Sequence, residues 1–216
     1  MKATAIIFDM DGTLLNTLKL ITVSMNGALK ARGLPTHRAA SYRRFVGDGL
    51  ANLVERALPV DMRDEATIRL FIPEMRAVYA QEKEKGVPLY DGVRELLTEL
   101  EKRGIPKSIL SNKDERFTRL HAERDLAPFR FDAVIGARAD LPLKPAPDGA
   151  LMAAHIMERP PEQIMLIGDM TADIGAAKAA GMTAGAALWG FSTKKELADA
   201  GATIFLKHPL DALKLI

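Results

Sequence analysis

The sequence predicts an α/β fold: a doubly wound parallel sheet with a small all-helical domain inserted after its first strand. Three observations predict it. Short apolar runs without polar alternation end in turn signals, as strands covered on both faces do. Helical patterns fall between most of these runs, the rhythm of a parallel sheet with crossover helices. Between about residues 17 and 86 the rhythm stops, and helical segments recur without a strand.

The elements follow in order. Ala5-Ile6-Ile7-Phe8 is a continuous apolar run closed by Asp9, and reads as the first strand. Helical segments at Leu18 to Ala31, Leu50 to Ala57 and Asp64 to Lys85 form the insert. Val93, Leu96, Leu97 and Leu100 then mark one helix face, with Asp91 as N-cap and Gly104 as the residue past its end. Ile109-Leu110 is a weaker strand ending at Ser111-Asn112, and Ala133-Val134-Ile135 is a third, ending at Gly136. A helix over Asp148 to Met157 leads to the strand Ile164-Met165-Leu166-Ile167, which ends at Gly168-Asp169. A helix over Asp173 to Ala180 is stopped by Gly181, and Ala184 to Leu188 and Thr203-Ile204-Phe205 are two short final strands. The boundaries this implies are a core of residues 1–15 and 87–216 and a helical unit of residues 16–86. No internal repeat or low-complexity tract interrupts them.

Composition narrows the function classes. The chain has 216 residues, 48% hydrophobic and 27% charged, which suits a globular protein and argues against disorder. Net charge is +2 and the signs are mixed along the chain, so a nucleic-acid face is not expected. There is no cysteine, which excludes disulfides, thiolate catalysis and Cys-based zinc sites. Met1-Lys2-Ala3-Thr4 leads straight into a strand-like run, and no apolar stretch approaches the roughly 20 residues that span a bilayer. A cytoplasmic protein without a membrane partner is expected; monomer and homodimer fit equally.

In open α/β sheets, ligands bind beyond the carboxyl ends of the strands. Three polar clusters sit at such ends: Asp9-x-Asp11-Gly12-Thr13, Ser111-Asn112-Lys113 and Gly168-Asp169-x-x-x-Asp173. Asp9 and Asp11 are two apart, so an extended chain projects both to one side. Gly12 permits a tight turn with N–H groups close to an anion. Asp173, at the start of a helix, leans back toward Asp169. Two carboxylates ~4 Å apart repel by about 4 kcal/mol at an effective dielectric near 20. A divalent cation relieves that repulsion, and oxygen-only ligands favour Mg²⁺ over zinc.

Taken together, these clusters resemble the motifs of the haloacid dehalogenase (HAD) superfamily. Ile7-Phe8-Asp9-Met10-Asp11-Gly12-Thr13-Leu14-Leu15 is similar to its first motif, Ser111-Asn112-Lys113 to its second, Lys144-Pro145-Ala146-Pro147-Asp148 to its third, and Gly168-Asp169-Met170-Thr171-Ala172-Asp173 to its fourth. The helical insert lies where that superfamily carries a small cap domain on its Rossmann-like core. The resemblance implies a phosphatase in which Asp9 attacks phosphorus and becomes an aspartyl phosphate. It makes Asp11 the general acid and then base. Ser111, Asn112 and Lys144 would serve the phosphoryl group, and Asp9, Asp169 and the backbone carbonyl of Asp11 would hold Mg²⁺. Gly12, Thr13 and Asp173 would support the site. Dehalogenases of the superfamily need neither a second aspartate nor a metal, so Asp11 with Asp169 points to phosphoryl transfer. Close relatives usually carry Asp where this chain has Asn16, at the junction with the cap, where changed hinge hydrogen bonding is expected.

Arg43-Arg44-Phe45-Val46-Gly47-Asp48-Gly49 resembles the cap segment of phosphoglycolate phosphatases. Arg43 or Arg44 would then meet a substrate carboxylate, with a small phosphorylated metabolite as the partner and 2-phosphoglycolate as the leading candidate. The alternatives on the same core are a phosphomutase, a phosphonatase, or pyrophosphatase or nucleotidase specificity; a phosphonatase would show a Schiff-base lysine in the cap. A binding protein without turnover is a third class, against which the intact motif set speaks. The histidines His37, His121, His155 and His208 show no metal spacing and are expected in solvated or capping positions. Glu82-Lys83-Glu84-Lys85 is expected as a solvated helix face.

Overall fold

The computed structural model describes residues 2–82 and 86–216. Its sheet has six parallel strands: β1 (Ala5–Phe8), β2 (Lys107–Asp114), β3 (Val134–Ala137), β4 (Ile164–Gly168), β5 (Thr183–Ala187) and β6 (Ile204–Leu206). Their order is β3-β2-β1-β4-β5-β6. From β1 the chain winds outward to one edge and then, from β4, to the other. A crevice therefore opens between the carboxyl ends of β1 and β4, the switch point where doubly wound sheets bind ligands.

Among the described residues, four α-helices form the insert that follows β1: α1 (Leu18–Ala31), α2 (Ala39–Phe45), α3 (Leu50–Ala57) and α4 (Glu65–Glu82). The bounds of α1 and α3 are those the apolar spacing predicts. α2 was not expected. It has seven residues and buries only Tyr42, too little for a periodic signal. Lys83, Glu84 and Lys85 lie outside the described residues. The insert has its own apolar core, with Ile21, Met25 and Leu29 of α1 facing Phe71, Met75 and Tyr79 of α4. Each such side chain contributes roughly 1.5–3 kcal/mol on burial.

The remaining helices are α5 (Val93–Lys102), α6 (Glu115–Arg124), α7 (Asp148–Ile156), α8 (Thr171–Ala179) and α9 (Lys194–Asp199). Alternation along the strands assigns them to faces. Ile6, Phe8, Met165 and Ile167 pack with Leu96, Leu97 and Leu100 of α5. Ala5, Ile7, Ile164 and Leu166 pack on the other face against Ala150, Ala153 and Ala154 of α7 and Ala176 and Ala177 of α8. Both faces are covered, which is why these strands read as unbroken apolar runs.

Two local expectations need correction. Asp91 does not cap α5. Gly92 occupies the N-cap with φ +82°, no side chain accepts from the helix start there, and a Cβ at Gly92 would meet the His208 ring at 2.2 Å. The glycine, and not the acid, makes this turn. His121 is neither solvated nor capping but fully buried in α6. His208 does cap, its Nδ1 accepting from Leu210 N at 3.3 Å. Among the described residues no helix is long and apolar enough to cross a membrane.

Candidate active site

β1 delivers Asp9 directly to the switch point, where its backbone N–H donates to Ile167 O of β4 at 2.9 Å. The next turn needs glycine. Gly12 has φ +91°, and a Cβ there would stand 2.3 Å from Asp169 Oδ2. Thr13 follows and donates its hydroxyl to Asp169 Oδ1 at 2.8 Å. Phe191 N donates to Asp169 Oδ2, also at 2.8 Å, while Trp189 Nε1 donates to Thr13 O at 2.9 Å and pins the turn. Asp173, on the first turn of α8, accepts from Met170 N at 2.8 Å, which orients its carboxyl group back toward β4.

The result is a buried acidic cluster. One oxygen each from Asp9, Asp169 and Asp173 lie within 4.8 Å of one another. Lys144 enters the cluster from the loop before α7, its ammonium donating to Asp9 Oδ1 and Asp173 Oδ1 at 2.6 Å each and to Leu110 O at 2.7 Å. All three of its N–H donors are thereby engaged. Burial pushes Asp9 up to about 7, against the pull of Lys144 and with help from the charge of Asp173. Burial, then the charges of Asp9 and Asp173, hold Asp169 well above the usual carboxylate range. Burial opposes the Lys144 charge, yet Asp173 and Asp9 outweigh it and keep the ammonium protonated.

Asp11 stands apart from this cluster. Its two oxygens accept from Lys113 Nζ at 3.1 and 2.9 Å. Burial would raise it, but the charge and hydrogen bonds of Lys113 prevail and hold its carboxyl below the usual range. Two aspartates two residues apart thus have opposite environments.

The model of the haloacid dehalogenase-like hydrolase family matches residues 6–187. The chain belongs to this family. A phosphoglycolate phosphatase of Pseudomonas syringae pv. tomato is 34% identical over 199 residues, covering 90% of this chain and 72% of its own length. One of Aquifex aeolicus is 28% identical over 212 residues, covering 98% and 95%. A solved haloacid dehalogenase-like hydrolase of Streptococcus pneumoniae superposes with a TM-score of 0.87 at 26% identity, covering 98% of this chain and 97% of its own. A structure from Lactobacillus delbrueckii subsp. bulgaricus gives 0.92 at 24% identity, with coverage of 100% and 99%; it attests the fold alone.

In this HAD-like hydrolase Asp9, Asp11 and Asp173 open onto a cleft of about 710 Å³ between the sheet edge and the helical insert, with Asp169 fully buried behind them. Asp9, Asp11, Ser111, Asn112, Lys144 and Asp173 line it from the core. Ser111 is buried and accepts from Lys113 N at 3.3 Å. The Asn112 side chain is spent on backbone: Nδ2 donates to Gly47 O and Lys144 O, and Oδ1 accepts from Lys144 N, all at 2.9 Å. It therefore clamps the Lys144 loop to the segment after α2, with both its polar atoms engaged. The insert contributes an apolar wall that includes Ile21, Leu50, Leu53 and Met75.

Arg43 and Arg44 are not brought into the cleft; both are exposed on α2. Arg76 of α4 lines it instead, paired with Asp114 at 2.5 Å. Sequence reasoning also assigned no role to Lys113, although it lies within the second polar cluster. Tyr79 was missed too. Its ring centroid is 4.6 Å from Lys113 Nζ, and its hydroxyl meets His121 Nε2 at 2.5 Å. One signal was available: His121 and Asp125 are spaced i, i+4 on one helix, and they pair at 2.6 Å through Nδ1.

Proposed function

We propose that this HAD-like hydrolase is a Mg²⁺-dependent phosphatase that cleaves a small phosphomonoester through an aspartyl phosphate on Asp9, with 2-phosphoglycolate as the candidate substrate. The observation that carries the reading is the switch-point cluster, in which buried Asp9 stands against Lys144 and Asp169 while Asp11 is held separately. The names of the relatives support the substrate.

The residues fit a magnesium ion. The side-chain donors are all carboxylate oxygens, three of them within 4.8 Å and buried, with one lysine to offset them. Among the described residues no histidine shares this cluster. Asp9, Asp169 and the carbonyl of Asp11 would hold the ion, with Asp173 supporting it. When bound, the cation neutralises phosphoryl oxygens and lets a carboxylate approach an anion.

The chain's own groups supply the rest. Asp9 attacks phosphorus and the ester P–O bond breaks. Lys144 and Ser111 steady the phosphoryl oxygens as charge builds. Asp11, protonated for this step, gives its proton to the departing alcohol oxygen. It is then the carboxylate that takes a proton from the water hydrolysing the acyl phosphate. The apolar wall of the insert, acting as the cap, excludes bulk water from that intermediate. We take residues 16–86 as the cap and 1–15 with 87–216 as the catalytic core, working in the cytoplasm.

A phosphonatase would need a lysine from the cap in the cleft. Among the described residues none lines it, and Lys83 and Lys85 lie outside them. The test is phosphate release from 2-phosphoglycolate, hexose phosphates, pyrophosphate and nucleoside monophosphates, with Mg²⁺ and with chelator, repeated for Asp9→Asn. Release is expected only with Mg²⁺ and intact Asp9. Turnover surviving both chelation and Asp9→Asn defeats the mechanism, and isomerised product without free phosphate indicates a mutase.

A further inference from the structure

Among the described residues, Lys113 is a cation that lines the cleft and that the proposed mechanism gives no task toward substrate. The Lys113 side chain is 9% exposed and lines the cleft beside Asp11. It is held from two sides. β2 carries its stem, and the Tyr79 ring of α4 lies under the nitrogen at 4.6 Å, a cation–π distance. That ring is fixed in turn by His121, which Asp125 holds at 2.6 Å. The two lysines differ in what they have left to offer. Lys144 has three acceptors for three donors, whereas Lys113 gives two hydrogen bonds to one carboxylate and turns its third donor to the Tyr79 side chain, a weaker acceptor than a carboxylate.

We propose that Lys113, seated on the Tyr79 ring, is a carboxylate subsite that selects phosphate esters whose alcohol bears a carboxylate on the carbon next to the ester oxygen. The inference rests on the reading of Asp11 as the group that meets the leaving oxygen. Lys113 Nζ is 2.9 Å from Asp11 Oδ2, and a hydrogen bond from Asp11 to the ester oxygen adds ~2.7 Å. The ester oxygen therefore lies within about 6 Å of the ammonium. A carboxylate one carbon away spans that gap. The competing cation is Arg76. It is 47% exposed and already bound to Asp114, so a carboxylate gains less there than on a buried ammonium.

The test compares 2-phosphoglycolate with ethyl phosphate, in which a methyl group replaces the carboxylate, on the wild type, Lys113→Met, Lys113→Gln and Arg76→Met. Phosphate release from either ester reads the phosphatase assignment, whereas the ratio of their kcat/KM values reads the subsite. Wild type favours phosphoglycolate, and both Lys113 variants lose about 10- to 100-fold of that preference, carried mainly by KM. Arg76→Met keeps the preference within about threefold. Should the lysine variants fold poorly, wild type supplies a second measurement: glycolate inhibits ethyl phosphate turnover competitively and ethylene glycol does not. Should no ester be turned over, the phosphatase reading fails, and titration of the two esters into wild type and Lys113→Met still gives the affinity ratio. The subsite is overturned if both esters weaken in equal proportion in the Lys113 variants, if the preference collapses in Arg76→Met alone, or if glycolate and ethylene glycol inhibit alike.

Discussion

His121 ties the core helix α6 to α4 of the insert, and replacing it with leucine should expose that tie in the pH dependence of stability. The imidazole is fully buried between the Tyr79 hydroxyl at 2.5 Å and Asp125 at 2.6 Å. Burial, then the nearby Lys113 charge, holds it below its ordinary value of 6.5 despite Asp125. A neutral ring fits this geometry, with Nδ1–H donating to Asp125 and Nε2 accepting from Tyr79. In His121→Leu the Tyr79 hydroxyl loses its partner in a buried place, whereas Asp125 keeps Arg124 and Val87 N. A loss of about 2 kcal/mol follows at pH 7.5. The sign of the pH effect comes from the depressed value. Below 6.5 the unfolded chain binds a proton that the folded ring refuses, so wild type loses up to about 1.4 kcal/mol per pH unit until the folded value is reached. His121→Leu has no such proton to bind, and the gap between the proteins narrows as pH falls. Urea denaturation followed by the single tryptophan, Trp189, at pH 7.5, 6.5 and 5.5 measures this directly. A gap that widens toward pH 5.5 would mean a charged imidazole paired to Asp125, and the neutral-ring reasoning would be refuted.

Three further outcomes follow from the same contacts. Lys144→Met leaves Asp9 and Asp173 buried without their cation, and urea unfolding in chelator should show a loss of about 3–5 kcal/mol; a loss under about 0.5 kcal/mol contradicts the ion-pair geometry. Asn112→Ala strands Gly47 O, Lys144 O and Lys144 N, which should cost roughly 2–3 kcal/mol and lower turnover as the cap segment loosens, read by thermal melts and phosphate release. Gly12→Ala forces a Cβ against Asp169 at positive φ, so the melting temperature should drop and the upward shift produced by Mg²⁺ should shrink in differential scanning fluorimetry; an undiminished shift argues against Asp169 as a ligand.

The sheet was legible because strands buried on both faces cannot alternate, and β1 and β4 are apolar at nearly every position. The acidic cluster was legible because each carboxylate sits at a strand or helix terminus, where topology dictates its direction. What escaped notice depends on contacts across long sequence separations. The α2 helix buries one residue and so leaves no periodic trace. Tyr79 and His121 are 42 residues apart, and each alone reads as an ordinary helix position. Arg43 and Arg44 resemble a substrate-binding pair, but α2 turns them to solvent, while Arg76, unremarkable in a charged helix, faces the cleft.

The division of labour between Asp9 and Asp11 follows from where the chain turns. Asp9 directly follows β1 and its backbone N–H donates to Ile167 O of β4, so its neighbours are the other acids of the switch point. Asp11, two residues on, faces β2, whose contribution is Lys113. One strand end thus yields a carboxyl group raised to about 7 and another held below its usual range. Environments that push two acids apart assign them different roles. On the proposed mechanism the order must change during the reaction. Held by a divalent cation, Asp9 would have a lower proton affinity and be free as a nucleophile. Asp11 gains a proton more readily when a second anion shares Lys113 with it. A substrate carboxylate on Lys113 does that, so recognition of the leaving group and its protonation would use the same lysine.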